Sequence, residues 1–136
     1  DTGNLTAQEF ISKGADVLFC PAGKTGLGGL KAAARSGVKA IGVDIDQYLT
    51  VPEARPVLMT SVMKNVNVAA GTVVKKFSAG TLEAGIHSFD LKTHGVGLAP
   101  YHDWEGRIPQ TCKDQVARAN RNIVLNPELS LPEQHR

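Results

Sequence analysis

The sequence predicts a doubly wound α/β fold, a parallel sheet flanked by helices, and three observations carry the prediction. Strand-length apolar runs alternate with segments of helical periodicity through most of the chain. The strand runs are apolar throughout, as in parallel strands buried on both faces. They end on polar or permissive residues, at Pro21 to Gly23, at Asp44 and at Lys64, which suits the edge of an open sheet where ligands bind.

Taken in order, Leu5 to Lys13 reads as a helix with Phe10 and Ile11 inward, stopped by Gly14. Asp16 to Cys20 is a short first strand. Thr25 is placed to cap a helix running to Ser36, with Gly37 as its C-terminal stop. Val38 to Val43 is a second strand ending on Asp44, and a loop carrying Pro52 and Pro56 follows. Val57 to Val62 is a third strand. Val66 to Phe77 is a helix with Val66, Ala69, Ala70, Val73, Val74 and Phe77 on its apolar side, ended by Gly80. Ile86 to Leu91 reads as a fourth strand. Gly95 to Pro100 is an extended Gly-rich link, Pro109 opens a helix to Asn122, and Pro127 and Pro132 mark an irregular end.

At 136 residues the chain can build a proper core, and 42% hydrophobic with 21% charged residues is ordinary for a soluble globular protein. The net charge of +2 is small and Lys75-Lys76 is the one adjacent basic pair, a poor footprint for nucleic acid. No apolar run approaches the roughly 20 residues that span a bilayer. The chain opens at Asp1 without Met or signal peptide, as expected of a piece of a longer protein. Cys20 and Cys112 lack zinc spacing, and two buried free thiols are a better reading than one long disulfide.

Several catalytic motifs are approached and missed. Gly23-Lys24-Thr25 looks like the end of a phosphate-binding loop, but Leu18 stands where the first Gly is required. Ser61 and Lys64 match an SxxK pair, yet Ser61 lies in a strand, where residues three apart face opposite sides. In Gly26-Leu27-Gly28-Gly29 the dinucleotide spacing fails at Lys31, so a close-packed helix start is expected there. His87, His94, His102 and His135 form no i,i+4 pair. No nucleophile, base and oxyanion hole assemble, so neither an enzyme nor a cofactor site is expected.

What remains is positional. Gly23 and Lys24 after the first strand, Asp44 after the second and Lys64 after the third should project to one sheet edge, with Asp46 two residues beyond Asp44. A carboxylate that only accepts and an ammonium that only donates suit a hydroxyl-rich ligand such as a ribose diol. Gly23 allows close backbone approach and offers an N–H at a helix start. A structural Asp44–Lys64 ion pair between loops is the alternative.

The runs Pro21 to Gly29, Ile41-Gly-Val-Asp-Ile-Asp-Gln47, Thr60-Ser-Val-Met-Lys-Asn-Val-Asn67 and Leu91 to Pro100, in this order, resemble the basic-membrane-protein family of nucleoside-binding lipoproteins. Lys24, Asn67 and Thr93-His94 depart from its usual pattern. The resemblance implies the C-terminal part of a type I periplasmic-binding protein. Residues 1–94 would be the ligand-binding lobe, and residues 95–136 a crossover and tail packing on an absent N-terminal lobe. It implies the substrate-binding component of an ABC importer, taking a nucleoside or similar sugar-containing molecule. Its partners would be that ligand, the membrane permease and the N-terminal lobe, and its place extracytoplasmic on a lipid anchor. By the same resemblance Gly23, Asp44 and Lys64 face the cleft and hold the ribose. A ligand-sensing regulatory module of the same fold is the second reading, and an α/β hydrolase the third.

Overall fold

A computed structural model describes residues 1–126. Pro127, Pro132 and His135 lie outside the described residues. The chain divides into two compact units, Asp1–Asn65 with Gly97–Arg107, and Val66–Val96 with the segment from Ile108 onward. The boundary expected at residue 95 does not coincide with this grouping, because the Ala99 N–H donates to the Ser61 carbonyl at 2.9 Å and ties the Gly-rich segment to the first unit.

The first unit opens with α1 (Thr2–Ser12), whose N-cap Asp1 accepts from the Gly3 N–H. Strand β1 (Val17–Phe19) leads to α2 (Gly23–Ser36), β2 (Lys39–Asp44), the one-turn α3 (Gln47–Thr50), a 3₁₀ turn at Pro52–Ala54, and β3 (Leu58–Lys64). The strands stand in the order β1-β2-β3-β4, with β4 at Val96–Leu98, and the β1/β2 and β2/β3 pairs are both parallel. A parallel α/β sheet is therefore what the sequence folds into.

Helix α2 seats closely because its inward face is small. Gly26, Gly28, Gly29, Ala32 and Ala33 are buried, and a Cβ added at Gly26 would strike the Cys20 carbonyl. This is the close-packed helix start expected from the glycines. Gly37 ends α2 at φ 68° in the left-handed conformation. Leu30 and Leu58 anchor the core with Ala33, Ala40, Ala54 and Val57 around them. Full burial of such a leucine is worth about 1.5–3 kcal/mol.

Several expectations need correction. Thr25 lies inside α2, which starts at Gly23 with Ala22 as an N-cap lacking a side-chain bond. Phe10 is 52% exposed, whereas Ile11 packs on the core. The loop after Asp44 is largely helical, because Asp46 caps α3 and Pro52 opens the 3₁₀ turn.

The second unit holds α4 (Val66–Ser78) and α5 (Gln110–Leu125), and no described residue of either helix is buried. The fourth strand expected at Ile86 to Leu91 is absent, and Ile86 is 97% exposed. There Asp90 and Thr93 bond each other instead: the Thr93 N–H donates to Asp90 Oδ1 at 2.9 Å, and the Asp90 N–H to the Thr93 hydroxyl at 2.7 Å. Such local side-chain bonds compete with a strand ladder. Both cysteines are free, but only Cys20 is partly buried; Cys112 is exposed on the polar surface of α5.

Candidate functional site

The carboxyl end of β2 is built by three buried groups. Gln47 Oε1 accepts the Val43 N–H at 2.8 Å, and the fully buried Ser61 hydroxyl accepts the Gln47 N–H at 3.1 Å. Gly42 makes room for both, since a Cβ there would lie 2.5 Å from Gln47 Oε1 and 2.5 Å from Ser61 Oγ. These bonds turn the chain sharply at Asp44, whose φ of 70° puts a non-glycine residue in the left-handed region. Strain of this kind persists where the surroundings over-determine it.

Asp44 pairs in register with Met63, so Lys64, one residue further along β3, falls beside it. Lys64 Nζ stands 3.2 Å from Asp44 Oδ1, and the two side chains are 72% and 50% exposed. The opposite charges thus meet at one open edge of the sheet. As an exposed pair they contribute little to stability, and both heads stay accessible to a solute.

Beside them the start of α2 presents Gly23, at φ 51°, and Lys24. A cleft of about 490 Å³ is lined by Gly23, Lys24, Lys31, Asp44, Gln47 and Glu53 among others. Gly23, Lys24 and Asp44 are therefore brought to one cleft, with Lys64 at its rim through Asp44. A second hollow, about 210 Å³, lies among α1, β1 and the start of α2, but its lining carries no charged side chain. Among the described residues no group of three His, Cys, Asp or Glu side chains gathers as a metal centre would.

Asp46 is placed differently. Its Oδ1 accepts the Tyr48 N–H at 3.2 Å, capping α3, and its Oδ2 lies 2.7 Å from His102 Nε2. The His102 ring stacks on Tyr48 at 4.0 Å between centroids and 12° between planes. Arg55 covers the Tyr48 ring and donates from Nε to the Tyr48 carbonyl at 2.8 Å. A hydrogen bond to Asp103 pushes the Tyr48 phenol above its usual range. Sequence reasoning missed Gln47, Ser61 and His102 as builders of this edge. Gln47 follows the Asp44–Asp46 run directly, but nothing in the sequence pairs it with Ser61, or Asp46 with a histidine 56 positions on.

Comparison with known proteins bears on the whole chain. The family model Bmp, described as ABC transporter substrate-binding protein PnrA-like, matches residues 1–135. Basic membrane protein D of Borreliella burgdorferi is 34% identical over 100 residues, covering 71% of this chain and 28% of its own length. A solute-binding protein of an ABC transporter system from Aeropyrum pernix K1 superposes with a TM-score of 0.79 at 24% identity, over 98% of this chain and 45% of that one. A transcriptional activator of the comK gene from Bacillus halodurans superposes with a TM-score of 0.77 at 25% identity, over 91% and 42%. The chain thus spans less than half the length of each of these proteins.

Proposed function

The chain belongs to the Bmp family of PnrA-like ABC transporter substrate-binding proteins, a family of binders rather than catalysts, and on that premise we propose that it contributes one wall of a ligand cleft. The full-length protein is then the solute-binding component of an ABC importer. Its ligand is a nucleoside or another solute presenting a sugar diol. The observation that carries this reading is the open Asp44–Lys64 pair, 3.2 Å apart beside the uncapped start of α2. The Asp44 carboxylate accepts two hydroxyls of a vicinal diol, Lys64 donates to the same oxygens, and the α2 N–H groups and Lys24 complete the polar rim. Asp46, whose two oxygens are already engaged, supports this rim from behind.

The remaining wall belongs to the part of the protein outside this chain. The exposed apolar side chains of the second unit, Val66, Val74 and Phe77 on α4 and Ile123 and Leu125 on α5, support that arrangement. Helices so uncovered gain stability by packing elsewhere. We therefore assign residues 1–65 with 97–107 to the ligand lobe, and the second unit to the side of the absent lobe, in place of a division at residue 95. Closure of the two lobes by hinge motion would bury the ligand. We place the protein outside the cytoplasm on a lipid anchor. The likeness to basic membrane protein D supports a membrane location, and no helix among the described residues is long and apolar enough to cross a membrane.

Calorimetric titration of the full-length protein with adenosine and with free ribose tests the proposal. Asp44→Ala and Lys64→Ala should each weaken binding by about 2–5 kcal/mol, since each leaves a desolvated partner unpaired. Unchanged affinity in both variants would remove the site assignment. The likeness to the comK activator favours a second reading, a sensor that reports the same ligand to a regulatory partner. Stimulation of the permease ATPase by the loaded protein supports transport, and its absence favours the sensor.

A further inference from the structure

The segment that follows β4 reaches back across the sheet edge at one point. His102 adopts a φ of 47°, left-handed for a non-glycine residue, and this directs its ring onto the β2–α3 turn. There Nε2 meets Asp46 Oδ2 at 2.7 Å, with the two side chains only 23% and 16% exposed. Asp46 uses its other oxygen to cap α3. One carboxylate therefore joins the start of α3 to a residue distant in sequence, two positions after the strained Asp44.

We infer that His102 is a positioning residue: by gripping Asp46 it holds the Asp44 turn in its ligand-ready form, and it makes ligand affinity fall as pH rises. The inference rests on the reading of Asp44 as a ligand contact. Its physical basis is the change in imidazole charge between about pH 5 and 8. Imidazolium forms an ion pair and a charge-assisted hydrogen bond with the carboxylate, whereas neutral imidazole offers the hydrogen bond alone. The remaining ionisable groups around the ring do not reverse that sign. Tyr48 is the stacking partner and is held neutral by Asp103, which bonds its hydroxyl. Arg55 lies over the opposite partner, Tyr48, and stays charged throughout. Lys64, the charged residue of β3, is paired with Asp44.

The experiment uses the full-length protein, with adenosine as probe, titrated calorimetrically from about pH 5.5 to about pH 8. Wild-type affinity should fall about three- to tenfold across that range, as a charge-assisted bond gives way to a neutral one. His102→Gln keeps a donor without a titrating charge, so it should bind at the alkaline wild-type level at every pH. His102→Ala should be weaker again by about tenfold, having neither donor nor stacking ring. A second measurement needs no ligand: corrected hydrogen-exchange protection of the amides of residues 44–50 should decline with rising pH in the wild type and stay level in His102→Gln. Identical pH slopes in wild type and His102→Gln, in affinity or in protection, overturn the inference. Failure of the wild type to bind adenosine at any pH refutes the nucleoside reading instead, and the protection measurement then decides the role of His102 by itself.

Discussion

Substitution of Gly42 by alanine strikes the edge of β2 without touching any ligand-facing group. The added methyl would sit 2.5 Å from Gln47 Oε1, 2.5 Å from Ser61 Oγ and 3.2 Å from Gln47 Cβ. Ordinary packing keeps such atoms about 3.5 Å apart, and Ser61 is completely buried, so it has no room to swing away. If Gln47 rotates, the buried Val43 N–H loses its 2.8 Å acceptor, at about 1–3 kcal/mol. If the strands part instead, overpacking costs about 1–3 kcal/mol. With two polar atoms in the way, both responses operate, and the expected destabilisation is about 2–4 kcal/mol. Native-state hydrogen exchange of the β2 amides in the full-length protein measures it locally. In a Gln47→Ala background most of the obstruction is gone, so the penalty for Gly42→Ala should shrink by about 1 kcal/mol or more. A β2 opening free energy within about 0.5 kcal/mol of the parent would refute the reasoning.

Other outcomes follow from the same geometry. Ser61→Ala removes the acceptor of the Gln47 N–H and should cost about 1–3 kcal/mol, again read by exchange at β2; an unchanged value would mean that the Gln47 bond carries no weight. Asp44→Ala should leave stability within about 0.5 kcal/mol of the parent while removing ligand affinity, because its ion pair is exposed. Thermal unfolding beside calorimetry separates the two effects. Burial pushes the Cys20 thiol up, whereas Cys112 is exposed. Iodoacetamide should therefore label Cys112 well before Cys20 at mildly alkaline pH, and mass spectrometry of the peptides reads the order. Hydrogen bonds from Thr93 hold Asp90 below the usual carboxylate range. A carboxyl lowered in the folded state stabilises above its unfolded pKa and loses that contribution as pH falls through its folded value. Exchange protection of the 90–95 turn should thus fade only on strong acidification, and Thr93→Ala should move that loss to higher pH.

The alternation of apolar strand runs with helices made the sheet legible in the sequence, as did Gly37 at the end of α2. The apolar run from Ile86 to Leu91 misled, because short polar residues beside it close their own turn through Asp90 and Thr93. The Gly-rich stretch from Gly95 misled in the opposite sense, since Val96–Leu98 is the fourth strand. Phe10 shows the same limit on periodicity, which places a side chain on a helix face without saying whether anything covers that face.

By itself the sequence determined that strands ending on Gly23, Asp44 and Lys64 would share one edge, because parallel strands joined by helices all finish on the same side of a sheet. It also determined the family, through motifs that recur in order. Only the tertiary structure decided the 3.2 Å meeting of Asp44 with Lys64, which depends on the register of β2 against β3. It alone decided that Asp46 turns away from the cleft to His102, and that Gly42 must lack a side chain to admit Gln47 and Ser61. Local patterns follow from bonds a few residues long, whereas these contacts join positions brought together only once the sheet has closed.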